Sequence, residues 1–148
     1  MEMNIFDFIV DLETDIAELY SRLKSFNNFT QSFSVFEFMS AHSLGHAEEI
    51  SFLKNKHTKP KIDNVFFLNV HRDIKNSCLN EIKNAGSPGE AMEILAKTEE
   101  LVGRMYQLLS KHYRKLGDYY SSIADEIDHF ADEEFKHRDL MKKESARY

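Results

Sequence analysis

Cysteine is nearly missing from this chain: 148 residues contain one, Cys78. That excludes an intramolecular disulfide and any cysteine-rich metal site, and it fits a reducing compartment. Helix breakers are also scarce, with two prolines and five glycines, so long uninterrupted elements are expected. Long apolar runs are absent, and the N-terminus has no basic region ahead of an apolar stretch. Neither a membrane span nor a secretory leader is expected, and the expected location is cytoplasmic. Positive charge is in deficit, 19 Lys and Arg against 25 Asp and Glu, for a net charge of -6. Nucleic acid and anionic membrane are poor candidates for the main partner of such a surface. What remains is 42% hydrophobic and 30% charged, an ordinary soluble composition. The length suits a single domain, residues 1–148, with a real core.

The apolar residues recur at steps of three and four, the period of an amphipathic helix. A first helix is expected from about Asn4, its N-cap, to Ser25, with the stripe Phe6, Ile9, Glu13, Ile16, Tyr20, Leu23. Its opposite face carries Asp11, Asp15, Glu18 and Arg22. Asn27 and Asn28 signal a loop. A second helix from about Thr30 to Lys56 has the stripe Phe36, Met39, Ser43, His46, Ile50, Leu53. Gly45 within it costs about 1 kcal/mol of helix propensity and suggests close approach of a neighbouring helix. Residues 57–87 read as a long crossover with a short helix near Val70–Asn84; a strand at Val65–Val70 would have no evident partner. Ser87-Pro88 is a strong helix start. The third helix runs to about Lys115 with the stripe Met92, Leu95, Glu99, Val102, Tyr106, Leu109, and Gly117 ends it. Asp118 is the expected cap of the fourth, which carries Ile123, Ile127, Phe130, Glu134, His137, Met141 to about Lys143. The expected fold is all-α, a four-helix bundle with a long crossover between helices two and three.

Each stripe contains a polar residue where a core should be. Glu134 and His137 are three residues apart and leave the same helix face. Glu13 precedes Tyr20 by seven residues, and Glu99 precedes Tyr106 by the same seven. His46 sits in the second stripe, flanked by His42 and Glu49. Any one of these has a plain packing explanation. A carboxylate can pair with a cation, a histidine can be satisfied in a core, and a tyrosine can pack with its hydroxyl bonded. One such site on each of four successive helices is harder to obtain that way. Buried carboxylates need compensation, and a metal ion supplies it. The doublets Glu48–Glu49, Glu99–Glu100 and Glu133–Glu134 each read as one stripe member and one surface charge. His57, His71, His112 and His129 read as surface residues.

In the order Glu, His, Glu, Glu-x-x-His, the chain resembles the ferritin-like di-iron carboxylate superfamily, its rubrerythrin-like branch most closely. That family draws one Glu from each of two helices and a Glu-x-x-His from each of the other two. The resemblance implies metal ligation by Glu13, His46, Glu99, Glu134 and His137, with Tyr20 and Tyr106 holding ligand carboxylates in place. Phe130, Val102 and Ile16 would keep the cavity dry. The departure is Ser43, where the family has Glu. Either His42 or Glu49 takes over the position, or the site holds a single metal or an asymmetric pair with water at the gap, or it is degenerate. Retained metal binding is the favoured expectation.

The cofactor implied is two iron ions, with manganese, zinc or a single metal as alternatives. The reaction implied is reduction of peroxide or oxidation of ferrous iron, with oxygen as the other oxidant, in oxidative-stress defence or iron handling. Rubrerythrins carry a rubredoxin-like domain with two Cys-x-x-Cys pairs; its lack here implies an external electron donor protein. The rival reading is a non-catalytic metal-binding or structural bundle. A homodimer is expected by analogy, with Phe26, Phe29, Phe33, Phe66 and Phe67 as its interface.

Overall fold

The computed structural model describes residues 3–24, 27–56, 61–62, 69, 72–73 and 79–148. They are mostly helical, with one short strand pairing and connecting turns, and the chain divides into two compact units, Met1–His71 and Arg72–Tyr148. No described helix is long and apolar enough to cross a membrane.

The first unit is a helical hairpin. Helix α1 spans Ile5–Leu23 and α2 spans Phe33–Lys56, with a 3-10 turn at Asn27–Ser32 before α2. All six members of the α1 stripe are buried, while Asp11, Glu18 and Arg22 are exposed. The α2 stripe is buried along its whole length too. The helices run antiparallel, since partners move in opposite directions along them. Tyr20 packs on Phe36 at 6.0 Å, Ser40 Oγ donates to the Ala17 carbonyl at 2.9 Å, and Glu13 meets His46. A strand pairing that the helical periodicity does not announce joins β1 (Met3–Asn4) to β2 (Lys61–Ile62), antiparallel. The expected strand at Val65–Val70 lies outside the described residues, as does most of the expected crossover.

Helix α2 begins three residues later than the periodicity suggests. Phe29 leaves helical geometry at φ -113 and buries its ring edge-on against Phe36 at 5.5 Å. It is therefore a core residue and not part of an exposed interface. Phe33 is exposed, and Phe26, Phe66 and Phe67 lie outside the described residues.

The second unit contains α3 (Leu79–Lys83), α4 (Pro88–Lys115) and α5 (Ser121–Ser145). Helix α4 starts as its sequence dictates. Ser87 is extended and accepts from the Glu90 amide at 3.1 Å, and Glu90 reaches back to the Gly86 amide at 2.8 Å. Two N–H groups that no intrahelical carbonyl can reach are thereby satisfied. Gly117 ends the element at φ 115 and ψ 177, a combination open essentially to glycine alone. Asp118 does not cap α5. It opens a 3-10 turn to Tyr120, and α5 starts at Ser121 with no side-chain cap.

Helices α4 and α5 also pair antiparallel. Ser145 Oγ donates to the Gly89 carbonyl at 3.0 Å, Arg138 reaches Glu100, Ser110 Oγ donates to the Ala124 carbonyl at 3.2 Å, and Arg114 bridges Asp125 and Asp128. The Arg114 bridges are exposed and the Arg138 bridge is half-buried, and such ion pairs contribute little stability each; the apolar stripes contribute far more, about 1.5–3 kcal/mol per large buried side chain.

Close approach of helices was expected at Gly45, yet a Cβ there would meet nothing described within 4 Å. The tight position is Gly103, where a Cβ would lie 2.7 Å from Phe135 Cε1. Gly45→Ala is therefore expected to stabilise the protein, by up to about 1 kcal/mol of helix propensity. Gly103→Ala is expected to destabilise it, because overpacking costs about 1–3 kcal/mol and outweighs that gain. Thermal melts of the two variants check the opposite signs.

Tyr113 is buried beside Tyr120, with ring centroids 5.8 Å apart. Burial, then the neighbouring phenol, raises its pKa well above the ordinary 10.0. The folded state thus keeps a proton that the unfolded chain releases, so this contribution is constant below pH 10 and stability falls as pH rises above it. Tyr113→Phe is expected to lose stability more slowly than wild type between pH 10 and 12, measured by denaturant titration.

Candidate metal centre

The polar residues of the stripes form two buried clusters, one in each unit. In the second unit Glu99 comes from α4, and Glu134 and His137 come from one face of α5. The exposure of the three is 0%, 1% and 4%. His137 Nδ1 lies 3.4 Å from Glu134 Oε2 and 3.8 Å from Glu99 Oε2. One ligating atom from each of the three falls within 4.8 Å of the others. The i, i+3 spacing on α5 sets one pair. The antiparallel register of α4 and α5, fixed by Ser110–Ala124 on one side and Arg138–Glu100 on the other, brings Glu99 opposite them.

The first unit has a smaller version. Glu13 and His46 are 0% and 2% exposed, and His46 Nδ1 lies 3.3 Å from Glu13 Oε1. Ser43 is buried one turn before His46, where α5 has Glu134. The units therefore share a plan: a carboxylate on the first helix faces an imidazole on the second. Among the described residues, the second unit alone adds a second carboxylate from within the same unit.

Two carboxylates around one imidazole, all removed from water, carry a charge that the imidazole alone cannot neutralise when both are ionised. Desolvation penalises that arrangement by several kcal/mol per ion. A cation at the shared point of approach would offset it. The donors are oxygen and imidazole nitrogen, a set that suits iron, manganese or zinc rather than thiophilic ions. Buried Glu and His groups able to hold a metal ion are thus present, and the residues fit such a group.

The remaining predicted residues fall as follows. Tyr20 and Tyr106 are fully buried two turns beyond their glutamates, and each packs on a phenylalanine of the partner helix, Phe36 at 6.0 Å and Phe130 at 5.7 Å. Ile16, Val102 and Phe130 are buried. His42 is half-buried. Glu49 is exposed, and so is Glu48, so that doublet contributes nothing to the stripe. Glu100 and Glu133 take the outer positions of the other two doublets, Glu100 with Arg104 and Arg138, Glu133 with His129 at 2.6 Å. His112 and His129 are exposed; His57 and His71 are outside the described residues. Every member of the three-residue cluster was already visible from its place in a stripe. The buried Glu144, beside Arg147 at 3.3 Å, was not, because it lies beyond the last stripe residue, Met141.

No protein-family model, curated protein or solved structure matches this chain.

Neutralising one carboxylate should relieve the metal-free cluster. Glu134→Gln is expected to raise the stability of the metal-free protein, because it removes one of two like charges and leaves Glu99 beside the imidazole. It should also reduce the stabilisation gained on adding metal. Denaturant melts with and without chelator measure both, and a metal-free variant less stable than wild type would contradict the electrostatic account.

Proposed function

We propose that the chain is a di-metal carboxylate oxidoreductase of rubrerythrin type, reducing peroxide or oxidising ferrous iron. In this reading the two hairpins pair into a ferritin-like four-helix bundle joined by the crossover. Glu13, His46, Glu99, Glu134 and His137 hold two iron ions. The observation that carries the proposal is the buried Glu99–Glu134–His137 cluster, matched by the Glu13–His46 pair at the corresponding place in the first unit.

Bound iron would supply the electron exchange with peroxide or oxygen. The chain's own residues do the rest. The carboxylates and imidazoles fix the ions, Tyr20 and Tyr106 steady Glu13 and Glu99 from two turns away, and Ile16, Val102 and Phe130 exclude bulk water. Reducing peroxide to two waters consumes two electrons and two protons, and the electrons come from an external donor protein. A cytoplasmic homodimer completes the reading.

The buried Ser43 favours a second reading. A hydroxyl cannot bridge two ions as a carboxylate does, so the protein could bind metal without turnover. Metal content and activity separate the two. Aerobic iron loading is expected to give close to two irons per chain in wild type, with loss in Glu134→Ala, and reductant-dependent peroxide consumption lost alongside. A folded wild type with one iron or none and no peroxide turnover would leave the non-catalytic bundle.

A further inference from the structure

Hairpin one lacks the carboxylate that precedes His137 in α5, but it has an imidazole beside the gap. His42 and His46 are four residues apart on α2, so they lie one above the other on one side of the helix. Their ring centroids are 5.1 Å apart at an interplanar angle of 47°, and one ligating nitrogen of each lies within 4.8 Å of the other. Phe38, one turn earlier, stacks on the His42 ring at 5.0 Å and 21°. That stacking restricts His42 before any ligand arrives, which lowers the entropy lost on binding. His46 is buried with its Nδ1 against Glu13. Glu49, the other residue one turn from His46 with ligating chemistry, is exposed.

Two imidazoles at i and i+4 on one helix face form the spacing with which helices grip a divalent transition ion. Zinc sits about 2.0–2.1 Å from an imidazole nitrogen, so a small change of rotamer closes the two rings on it. We infer that His42 and His46 form a bis-imidazole clip for a zinc-class divalent ion. The inference rests on the metal-centre reading to the extent that His46 belongs to both. It makes the two clusters unequal: the one in hairpin one is rich in nitrogen and the one in hairpin two rich in carboxylate. An imidazole nitrogen offers one lone pair and cannot be shared between ions, as a carboxylate can. The clip therefore selects zinc or copper over manganese, in line with the preference of imidazole ligands.

The test is calorimetric titration of the metal-free full chain with zinc, comparing wild type, His42→Ala, Glu49→Ala and Glu134→Gln. His42→Gln, which keeps size and polarity, covers the case in which the alanine loosens α2. A second readout is copper(II) electron paramagnetic resonance at one equivalent, where nitrogen couplings report the rings bound. His42→Ala and His42→Gln are expected to weaken one class of zinc site at least about tenfold, since loss of even an outer partner of a ligand costs that much. They should also reduce the copper signal from two rings to one, while Glu49→Ala behaves as wild type. Glu134→Gln should weaken the other class and leave the copper signal intact. Unchanged zinc affinity and copper couplings in both His42 variants would overturn the clip while leaving the metal centre standing. No zinc binding in wild type would overturn the metal-centre reading itself.

Discussion

Charge placed inside an apolar stripe is the constraint on which this protein turns. Glu13, Glu99 and Glu134 occupy positions that leucine or isoleucine would fill at no electrostatic cost. Each carboxylate held out of water costs several kcal/mol unless a partner of opposite sign is near. The imidazoles of His46 and His137 offset part of that cost, at 3.3 Å from Glu13 and 3.4 Å from Glu134. A metal ion would offset the remainder, so stability of the metal-free fold and metal affinity would be opposed. The same carboxylates that weaken the metal-free fold are those that would hold the ion.

The helices fix the geometry of those groups. In the second unit the register of α4 on α5 is set by several independent devices. They include the Ser110 and Ser145 hydroxyls on facing carbonyls and the close seating of Phe135 over Gly103. Glu99 can then meet Glu134 and His137 without adjustment of the backbone, which is what a ligand set requires. The first unit uses Ser40 on Ala17 and the Tyr20–Phe36 contact for the same purpose. Between the two buried clusters, Ser43 stands in α2 where α5 has Glu134.

Much of this was legible in the sequence because period and burial coincide. All four stripes lie in the core, and the polar residues inside them are buried ones. Ser87-Pro88 marked the start of α4 to the residue, since an N-cap hydroxyl and a proline that needs no N–H act locally. Other features depend on contacts that no local pattern encodes. Asp118 has the chemistry of a cap, but Gly117 before it, at φ 115, turns the chain into a 3-10 segment first. Phe29 looked exposed beside a loop and is drawn under Phe36 by the kink at its own backbone. Gly45 and Gly103 are equivalent as sequence, and only the side chain opposite tells them apart. His42 and Glu49 each lie about one turn from His46, and helix rotation half-buries one and exposes the other.

The measurement that tests the central claim most directly is anomalous diffraction at the iron edge from iron-loaded crystals of the full chain. The account predicts anomalous peaks within ligand distance of Glu99, Glu134 and His137 and of Glu13 and His46. Crystals with ordered helices and no anomalous peak at these buried side chains, or peaks only at surface carboxylates, would contradict it.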